Sequence, residues 1–479
     1  MHRFGIDPLD IHRVVELSMS TEELALPSDV QQLLQRSHDE SVVASATNVA
    51  YGRTTGVGAN RNVAADDSDG GHGMRLVRSH AAGGGAPYST EIARAAMVVR
   101  AHQLARPGSG IRVDVVRALV EALIANKTSA FREFGGLGTG DITVLGELAT
   151  CLVGERRWSD GTIQKFVKDF DASAALSFMS SSAPTLGLGA HALHRLEAVV
   201  RASLVAATLS TVPIRANRQQ WSEVAQETRP SDGVAECMTV IRRILDGTDY
   251  VQARTQDPLA YRVMPFVFGP LVESLWRAKD ETNRAIDARA ENPRFAHGAV
   301  WHHGAFNLTS VGLAFDTLRL ALCQWLSSSV ARIVKLNDPA YTEQERFLAV
   351  GPSGSSGVMV LEYCAASALE TVRTLADPSS RHTTTISIGT EDHASFAARS
   401  VAATYEILEA VETVVACELL TAVRAIRNSS AITVGSGVQE VLHTCAELSH
   451  EMGDRVLVDD VDTARAVLGS LAAHYSARL

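Results

Sequence analysis

Apolar residues recur at three- and four-residue steps over long stretches of the second half of the chain. RLEAVVRASLVAATL from Arg195, the run from Phe315 to Val334, and VAATYEILEAVETVVACELLTAVRAI from Val401 all carry this spacing. In the last of these, Ile407, Leu408, Val411, Val414, Val415 and Leu419 share one face of a helix. Helices this long bury such a stripe by packing side by side, which predicts a bundle. Before about residue 175 the pattern is irregular. Short apolar runs alternate there with polar and glycine-rich segments such as AADDSDGGHG ahead of Met74 and AAGGGAP at 81–87. The expected fold is therefore mainly α, with a smaller, loop-rich N-terminal domain over 1–175 and a long-helix bundle domain over 176–479. GPSGSSG at 351–357 reads as a flexible connection between helices.

Composition narrows the function classes. With 479 residues, 46% hydrophobic and 20% charged, the chain can bury more than one domain's core. A formal charge of -10 disfavours nucleic acid or an anionic membrane as the main partner, because either selects a basic face. A small neutral or zwitterionic ligand fits better. The six cysteines are scattered without the spacing of a disulfide framework or a zinc ribbon, which points to a reducing cytoplasm. MHRFGIDPLD lacks the apolar core of a leader, and no later run is apolar enough to span a bilayer.

The stretch FGGLGTGD at 134–141 sets Thr139 among glycines 135, 136, 138 and 140. A phosphate-cradling Walker loop would end in Gly-Lys-Ser/Thr, yet Asp141 follows Gly140, and its carboxylate would repel phosphate. The dinucleotide fingerprint fails as well, since its third glycine falls on Asp141. From these residues alone, a tight turn with positive φ at several positions remains open.

A second stretch, AYGRTTGVGANRNV from Ala50, resembles the Y-G-x-x-T-G-F-G signature of the aromatic amino acid ammonia-lyases, through Tyr51, Gly52, Thr55, Gly56 and Gly58. In that family an Ala-Ser-Gly triad cyclises into the electrophile methylideneimidazolone, and FGGLGTGDITVL is similar to the segment that carries it. Gly138, Thr139 and Gly140 then stand at the cofactor-forming position. The resemblance continues in order through LVRSHAAGGG from Leu76, QDPLAYR from Gln256, ETNRAID from Glu281, GAFNLTSVGLAFD from Gly304 and GTEDHAS from Gly389. It implies the long-helix bundle of the ammonia-lyase/fumarase-like type, a homotetramer with each site assembled from several chains, and a small-molecule amino acid or derivative as substrate.

The resemblance also implies roles. Tyr51 is expected to act as base and Arg262 as a bidentate clamp on the substrate carboxylate, from different subunits. Glu391 is expected near the amine and an imidazole ring, His80 beside the ring, and Gln256 and Phe306 among the substrate-binding residues. Three positions depart from the pattern: Thr139 replaces the serine whose dehydration makes the methylidene, Ser180 falls near the position of a supporting asparagine, and Leu259 replaces the second tyrosine. Threonine could follow the same cyclisation, with the Gly140 nitrogen attacking the Gly138 carbonyl. The added methyl would hinder attack on the resulting ring, and Leu259 and Ser180 would leave it without its hydrogen-bond support. The expected protein therefore keeps the substrate cradle without the prosthetic group. It resembles in this the ergothionase branch, where a permanently cationic amine leaves without activation. Other readings of the same pattern are an aminomutase or another secondary-metabolism reaction, and a non-catalytic amino-acid-binding homologue. The residues themselves allow duller roles: Arg262 as an internal ion pair with Asp257, or Glu391, Asp392 and His393 as a metal cluster. Their spacing matches no zinc motif, so no metal is expected.

Overall fold

The computed structural model describes residues 1–430 and 432–475. The protein is mainly helical and divides into two compact units, each gathered from several stretches of chain. The first collects Met1–His194, Ala278–Asp316 and Pro378–Tyr405; the second collects Arg195–Arg277, Thr317–Asp377 and Glu406–Leu479.

In the first unit, helices Ile11–Met19, Ser28–Thr47, Thr90–Leu104, Val113–Ile124 and Ile142–Leu152 form most of the body. This part of the chain is more regular than its sequence pattern predicts. The reason is visible in Thr90–Leu104, where every residue from Ile92 to Leu104 is buried. A helix enclosed on all sides has no polar face to alternate with, so its periodicity disappears. Close neighbours enclose it: a Cβ on Gly187 would lie 2.6 Å from the Ala96 nitrogen. Its buried Arg100 is matched by Glu291, at 2.8 Å, and donates to the carbonyls of Phe178, at 2.9 Å, and Ser177. Asp10 caps Ile11–Met19 by accepting from the Arg13 nitrogen at 2.8 Å, which satisfies one of the free N–H groups at a helix start. Strands are confined to two-stranded pieces. Gly84–Pro87 pairs antiparallel with Arg132–Phe134, and Arg294–Ala296 forms a hairpin with Ala299–Trp301 in the register Arg294 to Trp301.

In the second unit, Val360–Leu375, Leu408–Arg427 and Val458–Ala472 pack together, and the apolar stripe read from Val401 is buried as expected. The stretch read from Val401 is divided between two helices, Ala397–Glu406, nearly all of which belongs to the first unit, and Leu408–Arg427. Leu408–Arg427 also buries Glu418. Arg332 grips it through Nε at 2.5 Å and Nη2 at 2.9 Å, and Ser329 donates to the same carboxylate. A bidentate guanidinium and a hydroxyl together saturate a carboxylate that could not otherwise be buried. The 351–357 segment has no helix or strand. Among the described residues, no helix is long and apolar enough to cross a membrane.

Candidate active site

A cavity of about 310 Å³ opens in the first unit, lined by Tyr51, Thr139, Ser180, Phe306 and Glu391 among others. Five of the positions singled out in the sequence, separated by up to 340 residues of chain, therefore face one space. Each is placed by local backbone geometry. Gly52 takes φ +71°, turning the chain after Tyr51, and a Cβ there would collide with Leu176 at 2.2 Å. The Tyr51 hydroxyl oxygen accepts from the Gly58 N–H at 2.7 Å, closing the Tyr-Gly loop on itself. Burial pushes the phenol's pKa up. The Gly58 N–H and, more weakly, Arg61 oppose that rise, while Glu391 reinforces it.

The glycine-rich stretch is a turn with positive φ at Gly138 (+79°) and Gly140 (+107°), leading into Ile142–Leu152. Its middle is held from two other segments. The Gly138 carbonyl accepts from Ser395 Oγ at 2.9 Å and from the Leu308 N–H at 3.2 Å, and the Leu137 carbonyl accepts from the Phe396 N–H at 2.9 Å. A Cβ added to Gly138 would lie 2.1 Å from Ser395 Oγ and 2.8 Å from the Ala397 nitrogen. The alanine of the family triad therefore does not fit this turn as it stands. Beside it, Asp141 is fully enclosed. One carboxylate oxygen accepts from the Thr185 N–H (2.9 Å) and hydroxyl (2.8 Å), and the other has no partner. Burial raises the Asp141 pKa to about 6, against the pull of those two bonds.

Glu391 is carried by a loop with unusual backbone. Ser387 and Ile388 both have positive φ, +54° and +53°, a costly conformation for a β-branched residue. Ser387 Oγ accepts from the Ala59 N–H at 2.9 Å, tying this loop to the Tyr-Gly loop. Arg61 adds a second tie by donating to Thr390 Oγ1 at 2.6 Å. Ser180 accepts from the Asn292 N–H at 3.3 Å, while the Asn292 side chain accepts from the His303 N–H at 2.9 Å.

Other predicted positions lie elsewhere. His80 ends the helix His72–His80, and its Nδ1 donates to the Leu76 carbonyl at 2.8 Å, so it is not part of this lining. Gln256, Leu259 and Arg262 belong to the second unit. There Arg262 donates to Gln256 Oε1 at 2.7 Å, and Leu259 is 60% exposed. Asp257 is matched by Arg254 at 3.3 Å, so the internal pairing of Arg262 with Asp257 is not formed. Among the described residues, no group of three or more His, Cys, Asp or Glu side chains is placed to hold a metal. Arg61, Asn292 and Asn307 also line the cavity, although the sequence reading gave them no role, as does His393, which it weighed only as part of a metal cluster. Arg61 lies three residues beyond Gly58, inside the very stretch that identified Tyr51, whereas Asn292 has no motif around it to draw attention.

Fold and cavity together define a mainly helical amino acid lyase scaffold. Residues 9–447 match the aromatic amino acid lyase family, and the chain belongs to it. Histidine ammonia-lyase from Geobacillus thermodenitrificans is 29% identical over 460 residues, covering 90% of each chain. Among solved structures, ergothionase from Treponema denticola superposes with a TM-score of 0.89 at 21% identity, covering 98% of this chain and 99% of that one. Tyrosine aminomutase from Streptomyces globisporus gives 0.88 at 22%, covering 99% and 98%. At these identities the two structural likenesses speak for the fold alone.

Proposed function

We propose that the protein is a carbon–nitrogen lyase acting on a histidine-like or other aromatic amino acid derivative, without a methylideneimidazolone group. Tyr51 serves as base and Arg262, from another copy of the chain, as carboxylate clamp. The observation that carries the reading is the cavity uniting Tyr51, Glu391 and Phe306, with Thr139 in its lining. In the reaction the Tyr51 oxygen takes the β-proton, the C–H electron pair forms the double bond, and the amine leaves with the C–N pair. Tyr51 acts as the phenolate, which the Gly58 N–H steadies before the transfer, and it ends the step as the phenol. A neutral amine is a poor leaving group, so without an electrophile the substrate must bring a cationic nitrogen of its own, such as trimethylammonium.

The test is incubation of the purified protein with histidine, histidine betaine and the thiol betaine while following the acrylate chromophore. Elimination from a betaine supports the reading, and silence on all three counts against it. Intact mass checks the prosthetic group separately, because cyclisation and dehydration of Gly138-Thr139-Gly140 would remove two waters. Product analysis separates elimination from an aminomutase outcome, in which the nitrogen is retained.

A further inference from the structure

Arg61 is a cation in this cavity to which neither the family resemblance nor the proposed elimination assigns a role. It is anchored by one bond, to Thr390 Oγ1 at 2.6 Å, and no carboxylate among the described residues lies within ion-pairing distance of it. A guanidinium has five N–H donors in a planar fork, so this anchor leaves an edge able to take two oxygens at once. The charges sharing the cavity with it are Glu391 and Asp392, with His393 and the Tyr51 hydroxyl. The anchor fixes where that edge lies. Thr390 directly precedes Glu391, which the family resemblance sets near the amine and ring, so Arg61 meets the side-chain end of the substrate. The α-carboxylate is already allotted to Arg262.

We propose that Arg61 is a specificity-determining residue that selects substrates with a second oxyanion, a carboxylate or sulfonate, on the aromatic side chain. When a ligand fills a space of about 310 Å³, it strips water from the guanidinium. A neutral ring leaves that charge with its single threonine bond, whereas an oxyanion restores the lost solvation with two charge-assisted bonds. Discrimination comes as much from the penalty on the neutral ligand as from the gain on the anionic one.

The inference rests on the proposed placement of Glu391 and Arg262, and its test needs no turnover. Binding of trans-cinnamate and of 4-carboxycinnamate to the full-length protein is measured by titration calorimetry for wild type, Arg61→Gln and Arg61→Lys. Wild type is expected to bind the dicarboxylate about tenfold or more tighter than the monocarboxylate. Arg61→Gln should erase that preference by weakening the dicarboxylate and tightening cinnamate, with melting temperature unchanged, and Arg61→Lys should restore part of it. Three results overturn the proposal: equal affinity for both acrylates in wild type, equal weakening of both by Arg61→Gln, or no binding of the dicarboxylate at millimolar concentration. Equal weakening would make Arg61 the holder of the acrylate carboxylate itself. A preserved preference in a protein that eliminates nothing would sink the lyase reading and leave this one standing.

Discussion

Asp141 should make the protein less stable as the pH rises, and Asp141→Asn should remove that dependence. The carboxyl is fully enclosed, accepts only from Thr185, has one oxygen without a partner, and faces no cation. Its pKa rises from an ordinary 3.8 to about 6 because burial penalises the charged form. A carboxyl whose folded value is raised contributes its full stability below the unfolded pKa and loses it as the pH climbs through the folded one. At about 1.4 kcal/mol for each tenfold change in proton affinity, the full difference is about 3 kcal/mol, of which about 2.5 kcal/mol falls between about pH 4 and pH 8. Asparagine keeps the shape and an acceptor for Thr185 but carries no charge to bury. The assay is urea unfolding of wild type and Asp141→Asn across that range at fixed protein concentration, so that oligomerisation does not enter the comparison. Relative to wild type, the variant should gain stability as the pH rises. Parallel curves would refute the reasoning, because they would mean that the ionised carboxylate is compensated by something other than Thr185.

Gly138→Ala should destabilise by roughly 2–4 kcal/mol, combining backbone strain at φ +79° with the collision at Ser395 Oγ, and thermal melting reads it directly. Tyr51→Phe should abolish elimination with little change in melting temperature, since the hydroxyl's one bond inside the protein is to the Gly58 N–H. Because burial raises the Tyr51 pKa, kcat/KM should climb with pH beyond neutrality, and Arg61→Gln should move that rise to still higher pH. Glu418→Gln should cost about 3–5 kcal/mol by leaving Arg332 charged and buried with half its grip gone, measurable by denaturant unfolding.

The two halves of the chain were unequally legible. Leu408–Arg427 keeps a readable period because large aliphatic residues, Leu408, Val411, Val415 and Leu419, recur at helical steps even though it is buried along most of its length. Thr90–Leu104, buried from Ile92 onward and filled largely by small alanines, shows none. Motif reading found Tyr51, Glu391 and the glycine turn because their chemistry is tied to short local signatures. It passed over Arg61 and Asn292, whose membership of the cavity comes from loops meeting across long separations in sequence. His80 illustrates the converse, a position inside a family-like segment whose ring the local helix end keeps for itself through Leu76.

Ser395 and Leu308 meet at a single carbonyl, that of Gly138, and Phe396 fastens the residue before it. Three separate reaches of chain are thereby clamped at one keystone, which bears Thr139 on one flank and lies within a few residues of Glu391 and Phe306 on the others. Substitutions on any of the three will not behave as independent events: a shift in one is inherited by its companions, so paired variants around this point should depart from additivity.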